Sequence, residues 1–322
     1  MLKDRLRKIP LFFNLVRWPN LLIIIVVQLA LYYIIIGNLY HMAGINRAMS
    51  RIDLIILIFT TVLIAAAGYI INDYFDLQTD RINKPDSMIL GKKLDHRLGI
   101  ILHLAFNGIA FITGFYIAFK AGSWRLGLIF PLMIMLLWLY SVRYKKTIIW
   151  GNIAVAFMTA MVIIIVWLFE FFMLRQKPDD FVMLAPYLGT ITRYFAIFAL
   201  FAFLLTLIRE IIKDAEDFEG DKVAGFHTLA VDSGIKASKK WAIGVSICTA
   251  LMLCYVVYAF INEGMPFAGI WYGATVLLPL IWLMFKMVKA SNKSDFHLIS
   301  NMIKIVMAAG IIGLQPIAIS LT

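Results

Sequence analysis

"INDYFDLQTDRINKP", residues 71–85, closes a stretch that is otherwise almost wholly apolar. The run before it, Arg51 to Ile70, is long enough to cross the hydrocarbon of a bilayer as a helix. Then Asp73, Asp76 and Asp80 arrive together, beside Asn72. On a helix these carboxylates stand at i, i+3 and i+7, with Asn72 at the edge of the same stripe. Stacked carboxylates repel one another, and the dipole at a helix C-terminus opposes them as well. Charges held beside a membrane at such a cost usually serve a function.

The rest of the chain sets the context. Of its 322 residues, 62% are hydrophobic and 15% charged. A soluble domain is nearer half apolar and a quarter charged, so an ordinary soluble fold is excluded. The predicted fold class is an all-α polytopic membrane protein of nine transmembrane helices around a central cavity. The runs lie at about 20–39, 53–72, 98–119, 126–142, 148–173, 187–208, 241–261, 267–288 and 300–320. They read as a single membrane-embedded domain over 1–322, with pseudo-halves at about 1–142 and 143–322. The basic start, MLKDRLRKIPLFFNLVRWPN, precedes an apolar run too long for a signal peptide and without a small-residue cleavage site. It reads as a lead-in to a retained first helix. Cys248 and Cys254, six positions apart on one apolar run, read as core residues and imply neither disulfide nor metal.

The net charge of +11 does not require nucleic acid, and none is expected as a partner. Of the 30 lysines and arginines, one set of alternate loops holds only Arg47, Arg51, Lys120, Arg125, Arg175, Lys177 and Arg193. The positive-inside rule places the other, far more basic loops in the cytoplasm, with the N-terminus inside and the C-terminus outside. The acidic stretch at 71–85 lies on that cytoplasmic side. So does a second one, "REIIKDAEDFEGDKVAGFHTLAV", residues 209–231. There Asp217 and Asp221 stand at i, i+4, with Asp214 about one turn earlier. Glu210, Glu216 and Glu219 fall off that face and read as solvated; Asp86 and Asp95 read as loop charges.

Two carboxylate clusters on one side suit a divalent cation. Mg²⁺ takes few protein carboxylates and completes its shell with water and substrate phosphate oxygens. Asn72, Asp73, Asp76, Asp80, Asp214, Asp217 and Asp221 are therefore the candidate metal residues, holding a diphosphate through Mg²⁺. Lys84, Arg209 and Lys222, embedded in the acidic stretches, are candidate diphosphate ligands. Lys145 and Lys146 lie on the same side.

At these residues the chain resembles the UbiA superfamily of intramembrane prenyltransferases. The first motif, Asn-Asp-x-x-Asp-x-x-x-Asp, is matched by Asn72, Asp73, Asp76 and Asp80. The second, Asp-x-x-x-Asp, is matched by Asp217 and Asp221. "LYSVRYKKTIIWGNIAVA" is similar to the segment that opens the family's second half. The resemblance implies a Mg²⁺-bound prenyl diphosphate whose allylic carbon–oxygen bond ionises, and a lipophilic acceptor that captures the carbocation. It makes Asp73, Asp76, Asp217 and Asp221 the catalytic residues. It also places Asn20, in "RWPNLL", and Tyr140 beside the substrate, with Arg17 a weaker match.

Within the family, "DRINKP" and "REIIKDAEDFEGDK" look most like the branch that makes the second ether bond of archaeal-type lipids, the digeranylgeranylglyceryl phosphate synthases. That resemblance implies a geranylgeranyl diphosphate donor and a prenylated glycerol phosphate acceptor. After Pro85 the family commonly continues with Arg-Pro and a later Arg. This chain has "DSMILGKKLDHR", so Lys92 and Lys93 stand near the missing arginine. An aromatic-acid prenyltransferase of quinone biosynthesis is the alternative within the family. A cation- or proton-coupled transporter is the alternative of another class, although it would hold its acidic groups nearer the midplane. A membrane phosphotransferase is disfavoured because its Asp-Gly-x-x-Ala-Arg pattern is missing.

Overall fold

A computed structural model describes residues 10–77 and 88–321. Asp80, Lys84 and Asp86 lie outside the described residues. Among those described, nine helices are long and apolar enough to cross a membrane. They are α1 (Trp18–Met42), α2 (Arg51–Phe75), α3 (His96–Lys120), α4 (Trp124–Lys146) and α5 (Trp150–Leu174), then α6 (Pro178–Glu216), α7 (Ile235–Asn262), α8 (Pro266–Lys289) and α9 (Lys293–Ser320). The described residues form no strand, only an isolated bridge between Leu90 and Leu94. The all-α, multi-pass reading therefore holds.

The helices outrun the apolar runs where polar residues supply caps. α6 begins at Pro178, not near 187, because proline suits a first helical position and Asp179 and Asp180 meet the positive end of the dipole. α9 begins at Lys293 through a capping box in which Asn292 and Asp295 satisfy each other's backbone N–H groups. Asp95 accepts the backbone N–H of Arg97 at 3.0 Å, so it is the N-cap of α3 and not a plain loop charge.

The chain forms two compact units. Among the described residues, one holds those up to Leu29 with those of Ala48–Lys145 and Leu168–Pro178; the other holds Ala30–Arg47, Lys146–Trp167 and those from Asp179 onward. In the first, α2 packs on α3 and α4 through small residues. A Cβ on Gly68 of α2 would lie 2.8 Å from a methyl carbon of Leu137 on α4, and one on Gly114 of α3 would lie 2.3 Å from a ring carbon of Phe130 on α4, so glycine permits both approaches. The hydroxyls of Thr60 and Thr113 bond across α2 and α3 at 2.7 Å. Glu170, fully buried, accepts the backbone N–H groups of Ala48 at 2.6 Å and Met49 at 2.9 Å. Without such bonds a carboxylate would not be tolerated there. Near the N-terminus, Leu15 and Val16 bury themselves against Ala66, Ile70, Leu90 and Leu94. That small core anchors the residue that follows it, Arg17.

In the second unit, Tyr194, Phe260 and Tyr272 stack in series, with ring centroids 6.4 and 5.6 Å apart. The Trp271 indole N–H and the Tyr272 hydroxyl donate to the carbonyls of Ala309 and Gly310 at 3.1 and 2.9 Å, joining α8 to α9. Faces of α3 and α7 are exposed and apolar, as lipid contact requires: Ile112 and Phe119 on α3, Leu251 and Tyr255 on α7. Cys248 and Cys254 are free thiols and both are exposed on α7, not in the core. An apolar face turned to lipid reads in sequence just like one turned to protein.

Candidate functional site

In the first unit the acidic stretch opens where α2 ends. Helical geometry stops at Phe75, and Asp76 is the C-cap, its N–H donating to the Asn72 carbonyl at 3.0 Å. Asn72 Nδ2 donates to Asp76 Oδ2 at 2.7 Å. This leaves Asn72 Oδ1 buried with no hydrogen-bond partner among the described residues. Lys145, on the 3₁₀ turn Tyr144–Lys146 that ends α4, forms an ion pair with Asp76 Oδ1. Arg17 Nη2 donates to Asp73 Oδ1 at 2.8 Å, while its guanidinium lies over the Tyr69 ring, 5.0 Å from the centroid.

Arg17 is held there by its backbone. Among the described residues it is the only non-glycine at positive φ, 52°. That conformation is strained for an arginine and breaks the helical path just before α1, aiming the side chain back at α2. Burial works to lower its pKa, but Asp73, with smaller help from Tyr69 and Tyr140, raises it beyond the ordinary arginine value. Tyr140, half-buried near the end of α4, therefore belongs to this cluster. Asn20 is exposed on the first turn of α1. Arg17, the weaker match in sequence, thus holds the stronger position; no sequence pattern announces a residue at positive φ.

In the second unit α6 runs to Glu216, breaks at Asp217, and resumes as a short helix, Phe218–Val223. The helical path survives the break, since Asp221 N–H donates to the Asp217 carbonyl at 3.0 Å. Asp217 and Asp221 therefore keep the i, i+4 relation read from the sequence. Asp221 is buried, and Asp214 accepts from Asn152 Nδ2 at 2.8 Å. Asn152 comes from the "GN" segment at the start of α5, so that segment positions an acidic residue of the second stretch. Lys222 is exposed with its ammonium 5.7 Å from the Phe218 ring centroid. Lys146 lies 5.5 Å from the Phe226 ring centroid, and its carbonyl accepts the His227 N–H at 3.0 Å. Arg209 Nη1 pairs with Glu210 Oε1 at 2.5 Å.

Two glutamates depart from the solvated reading. Glu210 is buried against Arg209, and Glu216 bonds His297 Nδ1 at 2.8 Å. Glu219 is exposed as expected. A helical wheel drawn for the motif alone missed both pairs, because their partners lie at a chain neighbour and on a distant helix.

Among the described residues no three His, Cys, Asp or Glu side chains converge into a ready-made cage. The donors present are hard oxygens, and one of them, Asn72 Oδ1, is buried and unmatched. That set fits Mg²⁺, which takes one or two carboxylates and leaves its other positions to water and phosphate.

Residues 30–305 match the UbiA prenyltransferase family. The chain is 31% identical over 234 residues to a digeranylgeranylglyceryl phosphate synthase of Thermococcus sibiricus, covering 71% of this chain and 75% of that protein. It is 26% identical over 262 residues to the enzyme of the same name from Methanothermobacter thermautotrophicus, covering 80% and 83%. Among solved structures, a digeranylgeranylglyceryl phosphate synthase superposes with TM-score 0.60 at 23% identity, over 96% of this chain and 99% of that one. A UbiA homologue from Archaeoglobus fulgidus bound to GPP and Mg²⁺ superposes with TM-score 0.54 at 15% identity, over 95% and 99%. The matched span, the fold and the two acidic motifs agree, and the chain belongs to the UbiA prenyltransferase family.

Proposed function

We propose that this protein transfers a prenyl group from a prenyl diphosphate to a lipophilic acceptor within the membrane, with Mg²⁺. The favoured reaction is geranylgeranyl transfer to the free hydroxyl of geranylgeranylglyceryl phosphate. The observation that carries it is the end of α2. There two carboxylates sit beside two cations, with a buried amide oxygen to spare. The names of the relatives and the ligands of the Archaeoglobus fulgidus homologue support the donor, the metal and the acceptor.

Asn72, Asp73 and Asp76 would hold metal in the first motif, and Asp217 and Asp221 in the second, with Asp80 and Asp214 as further ligands. When bound, Mg²⁺ neutralises charge on the diphosphate as it leaves. Lys145 and Arg17 now face Asp76 and Asp73, and each can turn its hydrogen bonds to phosphate oxygens once those carboxylates take metal. Lys84, Lys146 and Lys222 are further diphosphate ligands, and Asn20 and Tyr140 line the substrate path. The allylic C–O bond breaks with its electron pair going to the diphosphate. The acceptor oxygen forms the new C–O bond, and its proton passes to a diphosphate oxygen. Walls that exclude water protect the cation until it meets the acceptor. The excess of Lys and Arg on one set of alternate loops, which the acidic motifs share, supports a site opening to the cytoplasm with the N-terminus inside.

The test incubates purified protein with labelled geranylgeranyl diphosphate, Mg²⁺ and a panel of acceptors, with products identified by mass. The expected product is the diether phosphate with release of pyrophosphate, while 4-hydroxybenzoate and dihydroxynaphthoate stay unreacted. Prenylation of an aromatic acid with the glycerol phosphate inert would overturn the acceptor. Uptake with no covalent product would overturn the reaction.

A further inference from the structure

In the second unit, α7 and α8 follow each other across the short turn at 263–265, so α7 starts on the side of the membrane where α8 ends. Lys239 ties those two ends together. Its ammonium donates to the carbonyls of Val288 at 2.8 Å and Ala290 at 2.7 Å, beyond which α8 has no further turn. Beside it on α7, Lys236 and Lys240 stand at i and i+4. They head an exposed stripe that runs on through Gly244, Ile247 and Leu251. On α8, Lys289 closes a matching exposed stripe of Leu278, Trp282 and Phe285. Trp241 and Trp282, both exposed, lie about 10 Å inside these helix ends. That is where an interfacial aromatic belt stands, and the lysines lie outward of it, at the level of lipid phosphates.

Membrane topology asks only that lysines lie in a loop on one side. It does not ask that they stand on helices, above the faces that meet lipid. Among the described residues Lys236, Lys240 and Lys289 make no hydrogen bond, ion pair or ring contact. Two other cations of this end are engaged and are not counted with them. Lys239 holds its two carbonyls, and Lys286 lies 5.1 Å from the Trp282 ring centroid with Asp295 as an electrostatic neighbour. Nearby carboxylates have partners of their own. Asp295 accepts the N–H groups of Ser291 at 2.9 Å and Asn292 at 3.3 Å, and Asp232 lies 3.0 Å from His227 Nδ1. Below the lysines, Gly244 leaves a gap in its stripe, since a Cβ there would meet no heavy atom within 4 Å. An acyl chain laid along that gap would bring its phosphate to the three ammonium groups.

We propose that the shared end of α7 and α8 binds the phosphate of an anionic phospholipid of the surrounding leaflet, through Lys236, Lys240 and Lys289. The site is independent of the reaction assigned above: its occupant is a bulk membrane lipid on the lipid-facing surface of the second unit, not the acceptor. Lysine suits the task. Its ammonium meets a phosphate as a mobile point charge, while its stem lies along the apolar stripe below. Zwitterionic lipids, with no net charge to offer, gain little from the three cations.

The test measures binding of phosphatidylglycerol and of phosphatidylcholine to the purified full chain in mild detergent, with the retained lipid identified by mass. The wild type should prefer phosphatidylglycerol. The triple variant Lys236→Gln, Lys240→Gln, Lys289→Gln should weaken phosphatidylglycerol by about tenfold to a hundredfold and leave phosphatidylcholine unchanged. The same three positions changed to Arg should keep the affinity. A control triple that removes equal charge from other exposed basic positions, Lys93→Gln, Arg97→Gln, Arg143→Gln, should bind phosphatidylglycerol as the wild type does. No preference in the wild type, or an equal loss in the two glutamine triples, would reduce the site to net charge and overturn it. Displacement of the phosphatidylglycerol by one equivalent of geranylgeranylglyceryl phosphate would overturn the assignment to bulk lipid.

Discussion

Replacing Asp76 by Asn removes the charge that faces Lys145, and replacing Asp73 by Asn removes the one that faces Arg17. Both should cut turnover by orders of magnitude, because each carboxylate is assigned to metal. Their effects on folding should differ. The Asp76 and Lys145 side chains are 16% and 7% exposed, so Asp76→Asn takes the paired charge away from an ammonium largely removed from water. Breaking a pair buried that deeply is worth about 3 kcal/mol. The Asp73 and Arg17 side chains are 20% and 40% exposed, so water screens that pair and its loss should be worth about 1 kcal/mol or less. The assay is thermal or denaturant unfolding in detergent, without Mg²⁺, on both variants, on Lys145→Met and on Asp76→Asn with Lys145→Met together. The double variant should recover most of the stability lost in Asp76→Asn, since the buried pair is then removed as a unit. Equal stability losses at the two aspartates, or no recovery in the double variant, would refute the assignment of Lys145 as the buried counter-charge of Asp76.

Other outcomes follow from the same geometry. Asp217→Asn and Asp221→Asn should each lower turnover by orders of magnitude, whereas exposed Glu219→Gln should stay near wild type; near-normal turnover in both aspartate variants would reduce the second motif to a loop. Glu170→Gln should destabilise the protein by about 2 kcal/mol without changing either KM, since it weakens charge-assisted bonds to the Ala48 and Met49 N–H groups; a KM change with unaltered unfolding would contradict that role. In a cysteine-free background, Cys at Lys92 and Lys240 should label from the cytoplasmic side and Cys at Ser123 from outside. Ser123 is the better probe than Gly122, whose φ of 75° resists a side chain. Labelling of positions 92 and 240 from opposite sides would break the cytoplasmic assignment.

What the sequence makes legible is whatever repeats along one helix. Nine apolar runs became nine helices among the described residues because each run reaches the roughly 17 residues or more that a spanning helix takes. Asp73 and Asp76 kept their spacing because the last helical hydrogen bond reaches the C-cap Asp76, and Asp217 and Asp221 kept theirs because the helical path survives the break at Asp217. The ends of α6 and α9 were missed because Pro178, Asp179 and the Asn292–Asp295 box are polar, and an apolar window stops where caps begin. Asp95 was missed in the same way, as a cap taken for a loop charge. The outward turn of Cys248 and Cys254 was missed because protein and lipid make the same demand on a side chain.

Pairings between distant parts of the chain are harder to read, and they decide how each charge is used. Asp73 is matched to a residue 56 positions away and Asp76 to one 69 positions away. Glu216 is matched to His297, 81 positions on. Nothing local distinguishes Arg17 from the other arginines of the basic lead-in. Its left-handed backbone, next to the buried Leu15 and Val16, accompanies its pairing with Asp73 of the first motif. Lys304 is the reverse case. By its depth in an apolar run it should have drawn suspicion, since ionisable groups inside a membrane helix are rarely idle. It passed as one more flanking cation, because its neighbours lie on α6 and no spacing within α9 names them. The acidic motifs could therefore be found by spacing alone, while the partners that decide how each charge is used emerge only when segments far apart in sequence are set side by side.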